Sequence, residues 1–203
     1  MIPIALATED VLSEAIGLRL IAEIPIAHSP PMRLRRGGSG YLRSKMDSWR
    51  QMAQHQLMVV LTDLDRANCL IEFRNQWLGP RLVPENLLFR IAVREVEAWI
   101  LADHVAMRAL VGTKGVLPTE PDLILDPKQH LLQLAKRAPR DVRDDLIRAE
   151  GANAIQGLGY NSRLAAWIDT RWNPERASRL SPSLRRTRIR LREAAEAWVT
   201  QAR

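Results

Sequence analysis

The segment Leu57-Met58-Val59-Val60-Leu61-Thr62-Asp63-Leu64-Asp65-Arg66 constrains the fold of this chain most. Five of its first six residues are apolar, and it ends in two carboxylates spaced i and i+2. A continuous apolar run of this length predicts a strand covered on both faces, as in a parallel sheet. Asp63 and Asp65 then leave the sheet at its carboxyl end, where open α/β sheets place their sites. Extended backbone points both side chains the same way. Two hard oxygen donors side by side suit Mg²⁺ or Mn²⁺. A lone DxD is more often a polar strand end with a helix cap, so the reading needs further acids at the same place.

The rest of the first half alternates. Ile2 to Ala7, Glu23 to His28 and Leu87 to Val93 read as further strands. Helices are expected over Glu9 to Ala22, Tyr41 to Gln54, Ala67 to Trp77 and Glu95 to Val111, the last ended by Gly112. The order βαβαβαβα predicts an α/β fold with a four-stranded, mostly parallel sheet and helices on both faces. Right-handed crossovers bring the strand ends to a common edge. From Thr113 onward the punctuation is helical. Asp126-Pro127, Asn173-Pro174 and Ser181-Pro182 each set a capping residue before a proline at the first helical position. Helices are expected at about 127–138, 141–149, 160–171, 174–179 and 182–200. The chain thus divides into an α/β domain over 1–112 and a basic, all-helical C-terminal region over 113–203.

Three strand ends deliver acids to one edge. Glu9 and Asp10 follow the first strand, Asp63 and Asp65 the third, Glu95 and Glu97 the fourth. Crowded carboxylates repel and raise one another's pKa, which a divalent cation relieves. Acids in a helix's first turn are also explained by the helix dipole. Asp63 and Asp65 precede their helix and escape that account. Asp103 falls in the middle of the apolar stripe Val96, Trp99, Ile100 and Met107, where it needs a partner. An arginine or backbone amide is the expected partner there, in preference to a metal. Glu97, beside Ile100 and Leu101, is expected to be partly buried.

These stretches resemble the Toprim (topoisomerase–primase) fold. They are similar to small bacterial Toprim-like proteins of uncharacterised function, often encoded beside an AAA-type ATPase, and to the nuclease half of OLD-type (overcoming lysogenization defect) enzymes. The matching residues are Ala7-Thr8-Glu9-Asp10, Val60 to Asp65, and Val93 to Asp103, within residues 1–112. The resemblance implies a Mg²⁺-dependent nuclease, with Mn²⁺ as the alternative ion. Glu9 would be a metal ligand or general base, Asp63 and Asp65 would hold the ion, and Glu97, with Glu95, would support a second. It also implies an AAA-type ATPase partner and a role in phage defence or a toxin-like system. Toprim proteins usually place glycine after the first-strand glutamate. Asp10 stands there in this chain, which leaves Glu9 and Asp10 both open as the equivalent acid. The other reading is a non-catalytic subunit on the same fold, docking an ATPase or nucleic acid.

Charge suits a polyanion. The net charge is +7. Residues 113–203 carry 17 Lys+Arg against 11 Asp+Glu, whereas 1–112 carry 13 against 12. Nucleic acid is therefore the expected partner class. The loop Arg35 to Lys45, with Gly37, Gly38 and Gly40, offers backbone amides and basic side chains. Arg36, Arg43, Lys45 and Arg66 are the candidate phosphate ligands. The loop lacks the spacing of an ATP-binding P-loop. No apolar stretch reaches the ~20 residues of a membrane span. Cys69 is the only cysteine, and the first residues lack the basic flank of a signal peptide. A cytoplasmic protein is expected, with homo-oligomerisation left open. The six tryptophans lie mostly at helical core spacing and are expected to pack.

Overall fold

A computed structural model describes residues 1–35, 37–150 and 153–201. Four strands form an all-parallel sheet in the order β2-β1-β3-β4, with β1 Ile4–Thr8, β2 Met32–Arg33, β3 Leu57–Asp63 and β4 Leu87–Ala92. The chain passes outward from β1 to β2, then crosses back over β1 to β3. Successive connections therefore leave on opposite sides of β1, which opens a crevice between the carboxyl ends of β1 and β3. Register is continuous along it: Thr8 lies opposite Leu61, and Asp63 opposite Ala92.

Side-chain alternation explains the two covered faces. Ile4, Leu6, Leu57, Val59 and Leu61 face one apolar layer, and Ala5, Ala7, Met58 and Val60 face the other. The second layer holds α2 (Gly38–Ser44), α3 (Met46–Met52) and α4 (Leu70–Leu78). The first holds α1 (Val11–Ile21), α5 (Val96–Leu101) and α6 (His104–Val111). It also holds α7 (Pro127–Ala135), α8 (Arg140–Leu146), α9 (Tyr160–Thr170), α10 (Pro174–Ala177) and α11 (Pro182–Gln201). The apolar core is thus continuous from the sheet through Leu131, Trp167 and Leu184. Trp49, Trp77, Trp99, Trp167 and Trp172 are all buried in these layers.

The expected α/β architecture and helical C-terminal region are present, with local differences. Glu23 to His28 is not a strand; its backbone pairs only as an isolated bridge between Ile2 and His28, while Ile24 packs into the core. Pro25 supplies no amide, and the edge strand forms later, at Met32 and Arg33, beside Ala5 and Leu6. The helix expected over 95–111 is two. Asp103 accepts the Ala106 N–H at 3.2 Å and starts α6, so the same carboxylate that interrupts the apolar stripe also interrupts the helix. The helix expected over 141–149 ends at Leu146. The chain then forms an antiparallel hairpin, β5 (Ile147–Glu150) with β6 (Asn153–Gln156).

Candidate functional site

Glu9, Asp10, Asp63, Asp65, Glu95 and Glu97 collect at the carboxyl edge of the sheet. Glu9 lies one residue beyond β1. Its Oε1 accepts from the Thr62 hydroxyl and from the Asp63 N–H at 3.1 Å, so the first strand's acid is clamped onto the end of β3. Asp10 behaves differently: its side chain accepts the Ser13 N–H at 2.8 Å and caps α1. Of the two acids left open by the sequence, Glu9 turns toward the strand ends and Asp10 toward its own helix.

Asp63, the last residue of β3, is half-buried, and its Oδ1 accepts the Val96 N–H at 3.0 Å at the start of α5. Asp65 is exposed and adopts φ 51°, the left-handed region that aspartate tolerates better than most residues. Arg94, after β4, has φ 65°. The Asp65 N–H donates to Arg94 O at 2.8 Å, and the Arg94 guanidinium donates to Asp65 O and Ala67 O. Two left-handed residues thus lock the β3 and β4 ends together. Strained backbone of this kind is often kept where a site demands it.

Glu95 accepts the backbone N–H of Lys128 at 2.9 Å, in the first turn of α7. Glu97, in α5, is only 4% exposed. It accepts the Tyr160 hydroxyl at 3.0 Å and lies 4.0 Å from Lys128 Nζ. That ammonium sits 5.4 Å from the centre of the Tyr160 ring. Lys128, Tyr160 and Thr62 were not anticipated as site residues. Asp126-Pro127 marked the start of α7, but nothing local tells that its second residue reaches Glu95 and Glu97.

The electrostatics are those of an under-compensated negative cluster. Burial raises Glu9, and Asp65 and Asp10 raise it further against the hydrogen bonds from Thr62 and Asp63. Asp63 is held well above the usual carboxylate range by burial, then by Glu97, Glu9, Asp10 and Asp65. Asp65 is raised by desolvation and by Asp10. Glu95 is raised chiefly by burial. Glu97 reaches about 7, through burial first and Glu95 second. Among the described residues, no lysine or arginine forms an ion pair with Glu9, Asp63 or Asp65. Also among the described residues, no group of three His, Cys, Asp or Glu side chains closes on one point as a ready ligand set.

Asp103 is not part of this cluster. It is fully buried and accepts from Arg176 Nε at 2.9 Å, Arg176 Nη2 at 2.8 Å and the Asn173 N–H at 2.8 Å. The expected arginine and backbone partners are both present. Of the candidate phosphate ligands, Arg43 and Lys45 are exposed, on α2 and just after it. Arg66 is exposed beside Asp65, and Arg36 lies outside the described residues. The glycine loop does approach the acids, since the Gly38 N–H reaches the Glu9 carbonyl at 3.4 Å.

Comparison with protein-family models, curated proteins and solved structures gives no match to this chain. No described helix is long and apolar enough to cross a membrane.

Proposed function

We propose that this chain is a phosphodiesterase acting on nucleic acid with Mg²⁺, or Mn²⁺, at the carboxyl edge of its sheet. One observation carries the reading: acids from three strand ends meet beside a topological switch point, and among the described residues no cationic side chain is paired with Glu9, Asp63 or Asp65. The donor set fits a hard divalent cation, being all carboxylate oxygen with raised proton affinity. Glu9, Asp63 and Asp65 would hold it, and Glu97 with Glu95 would support a second ion. When bound, the cation supplies Lewis acidity toward the phosphate and lowers the pKa of its water. Thr62 and the Asp63 amide orient Glu9, the Val96 amide orients Asp63, and Tyr160 orients Glu97. Lys128, Lys45 and Arg66 are the cations available to offset charge on the phosphate. The basic C-terminal helices would hold the backbone without reading sequence. By the Toprim resemblance, an AAA-type ATPase partner in phage defence or a toxin-like system completes the proposal.

The test is cleavage of supercoiled plasmid and of single-stranded DNA and RNA by the full chain. Mg²⁺, Mn²⁺ or EDTA is present in separate reactions. Asp63→Asn is the right variant, because its amide oxygen still accepts the Val96 N–H that Asp63→Ala would orphan. Cleavage that needs the cation and falls at least ~100-fold in the variant supports the proposal. Equal cleavage by wild type and variant, or none with any substrate, overturns it.

A second reading is a non-catalytic subunit that docks nucleic acid or the ATPase. It is favoured by the hydrogen bonds that already occupy Glu9, Asp63, Glu95 and Glu97, and by the lack of a closed ligand set among the described residues. Salt-sensitive binding without cleavage, unchanged by EDTA, is its signature.

A further inference from the structure

A second constellation lies at the outer edge of the sheet. β4 is an edge strand, with α4 against one face and α11 against the other. Between the two helices a cleft of about 90 Å³ straddles the strand, lined by Arg74 of α4, Arg90 of β4, and Ser183 and Arg186 of α11, with Phe89 and Ile91 on its apolar side. Arg90 alternates with Phe89 and Ile91, so its guanidinium emerges on the α11 face. It is half-buried and donates from Nε to Thr187 Oγ1 at 3.3 Å. Among the described residues, Arg74, Arg90 and Arg186 form no ion pair with any carboxylate. Arg190, one turn beyond Arg186, is paired with Glu193 at 2.7 Å.

A guanidinium held in an edge cleft among like charges is unfavourable unless an anion joins it. Burial first, and then the like charges of Arg190, Arg186 and Arg74, lower Arg90 to about 10. The planar fork of arginine matches phosphate oxygens in pairs. The Ser183 hydroxyl is committed to the Trp99 indole N–H, which donates to it at 2.7 Å, and so lies at a fixed place on the cleft wall. The space equals about three water molecules, enough for one phosphate group and too little for a whole nucleotide.

We propose that the Arg74–Arg90–Arg186 cleft is a phosphate-binding site, taking a single phosphate group whose remaining substituents lie outside. The group is carried either by a small phosphate ligand or by a nucleic-acid backbone. The site uses none of the acid-edge carboxylates and does not depend on cleavage there.

The experiment measures binding to the full chain at constant ionic strength in EDTA. Calorimetry follows inorganic phosphate, and fluorescence anisotropy follows a labelled single-stranded oligonucleotide. Both are repeated with Arg74→Ala/Arg186→Ala, with Arg90→Lys, and with Arg81→Ala/Arg140→Ala, which removes two exposed charges elsewhere. Thermal melting without ligand checks that each variant is folded. The expected result is saturable binding, weakened at least tenfold by the first variant and by Arg90→Lys. Arg81→Ala/Arg140→Ala should stay within about twofold of wild type. Phosphate displacing the oligonucleotide assigns the cleft to a backbone phosphate; phosphate binding with no effect on the oligonucleotide assigns it to a small ligand. Absence of saturable binding of either probe overturns the proposal. So does an equal loss in the cleft and control variants, which would reduce the effect to overall charge.

Discussion

At Glu97 protonation and folding are linked. Its folded pKa of about 7 stands above the ordinary value of 4.5 because the side chain is buried and Glu95 is close. The folded state therefore binds the proton more tightly than the unfolded chain. Stability falls as pH rises from about 4.5 to about 7, and the penalty is complete above that window. Glu97→Gln keeps an acceptor for the Tyr160 hydroxyl and removes the charge. It should stabilise the metal-free protein at pH 8 by up to about 3 kcal/mol. The gain should fade toward zero as pH approaches about 4.5. Urea midpoints for both proteins at pH 8 and pH 5 check this, and an equal gain at the two values would sink the assignment. Sequence reading placed Glu97 beside apolar residues but had no view of Tyr160 or Lys128. Those arrive from 63 and 31 positions downstream, and no local pattern encodes such a meeting.

At the scale of elements, caps decide where acids and bases stand. Asp126 accepts the Gln129 N–H at 2.8 Å, and Pro127 opens α7. This start fixes the Lys128 amide against Glu95. Asp126 is exposed and its charge also repels Glu95, so Asp126→Ala should cost about 1 kcal/mol through the lost cap, less the repulsion it relieves. Asp126→Ser should recover most of it. Thermal melts of the two variants separate a capping role from a charge effect, since serine restores only the former. The same chemistry made this helix legible in sequence, as it did at Asn173-Pro174 and Ser181-Pro182. It did not warn of the break at Asp103, where the cap lies inside an unbroken apolar period. Nor did it give the second strand, because a two-residue edge strand carries almost no pattern.

At the scale of the molecule, Asp103 ties residues 1–112 to the helical region. Its carboxylate is fully buried and satisfied by Arg176, Asn173 and Ala106. Removing Arg176 leaves that charge with backbone donors alone. Arg176→Ala should cost about 3 kcal/mol, and Asp103→Asn/Arg176→Ala should recover part of it. The apolar layer is continuous across this junction, from Ile16 and Trp99 to Leu164, Trp172 and Leu184. The full chain should therefore unfold in one transition followed alike by far-ultraviolet circular dichroism and tryptophan fluorescence. Two separated transitions would show instead that the two regions fold as independent units.

Sequence by itself determined the buried parallel strand, the alternation of strands and helices, the helix starts at Asp-Pro, Asn-Pro and Ser-Pro, and the delivery of acids to one edge. Each of these is written in neighbouring residues, as an apolar run, a period or a cap. Tertiary structure alone decided that Glu9 and not Asp10 leans onto β3, and that Lys128 and Tyr160 close over Glu97. It also placed Arg74, Arg90 and Arg186 around one cleft, with no carboxylate paired to them among the described residues. The physical reason is common to all three. The strength of a charge depends on burial and on partners far along the chain, and these exist only once the sheet and its helices have packed.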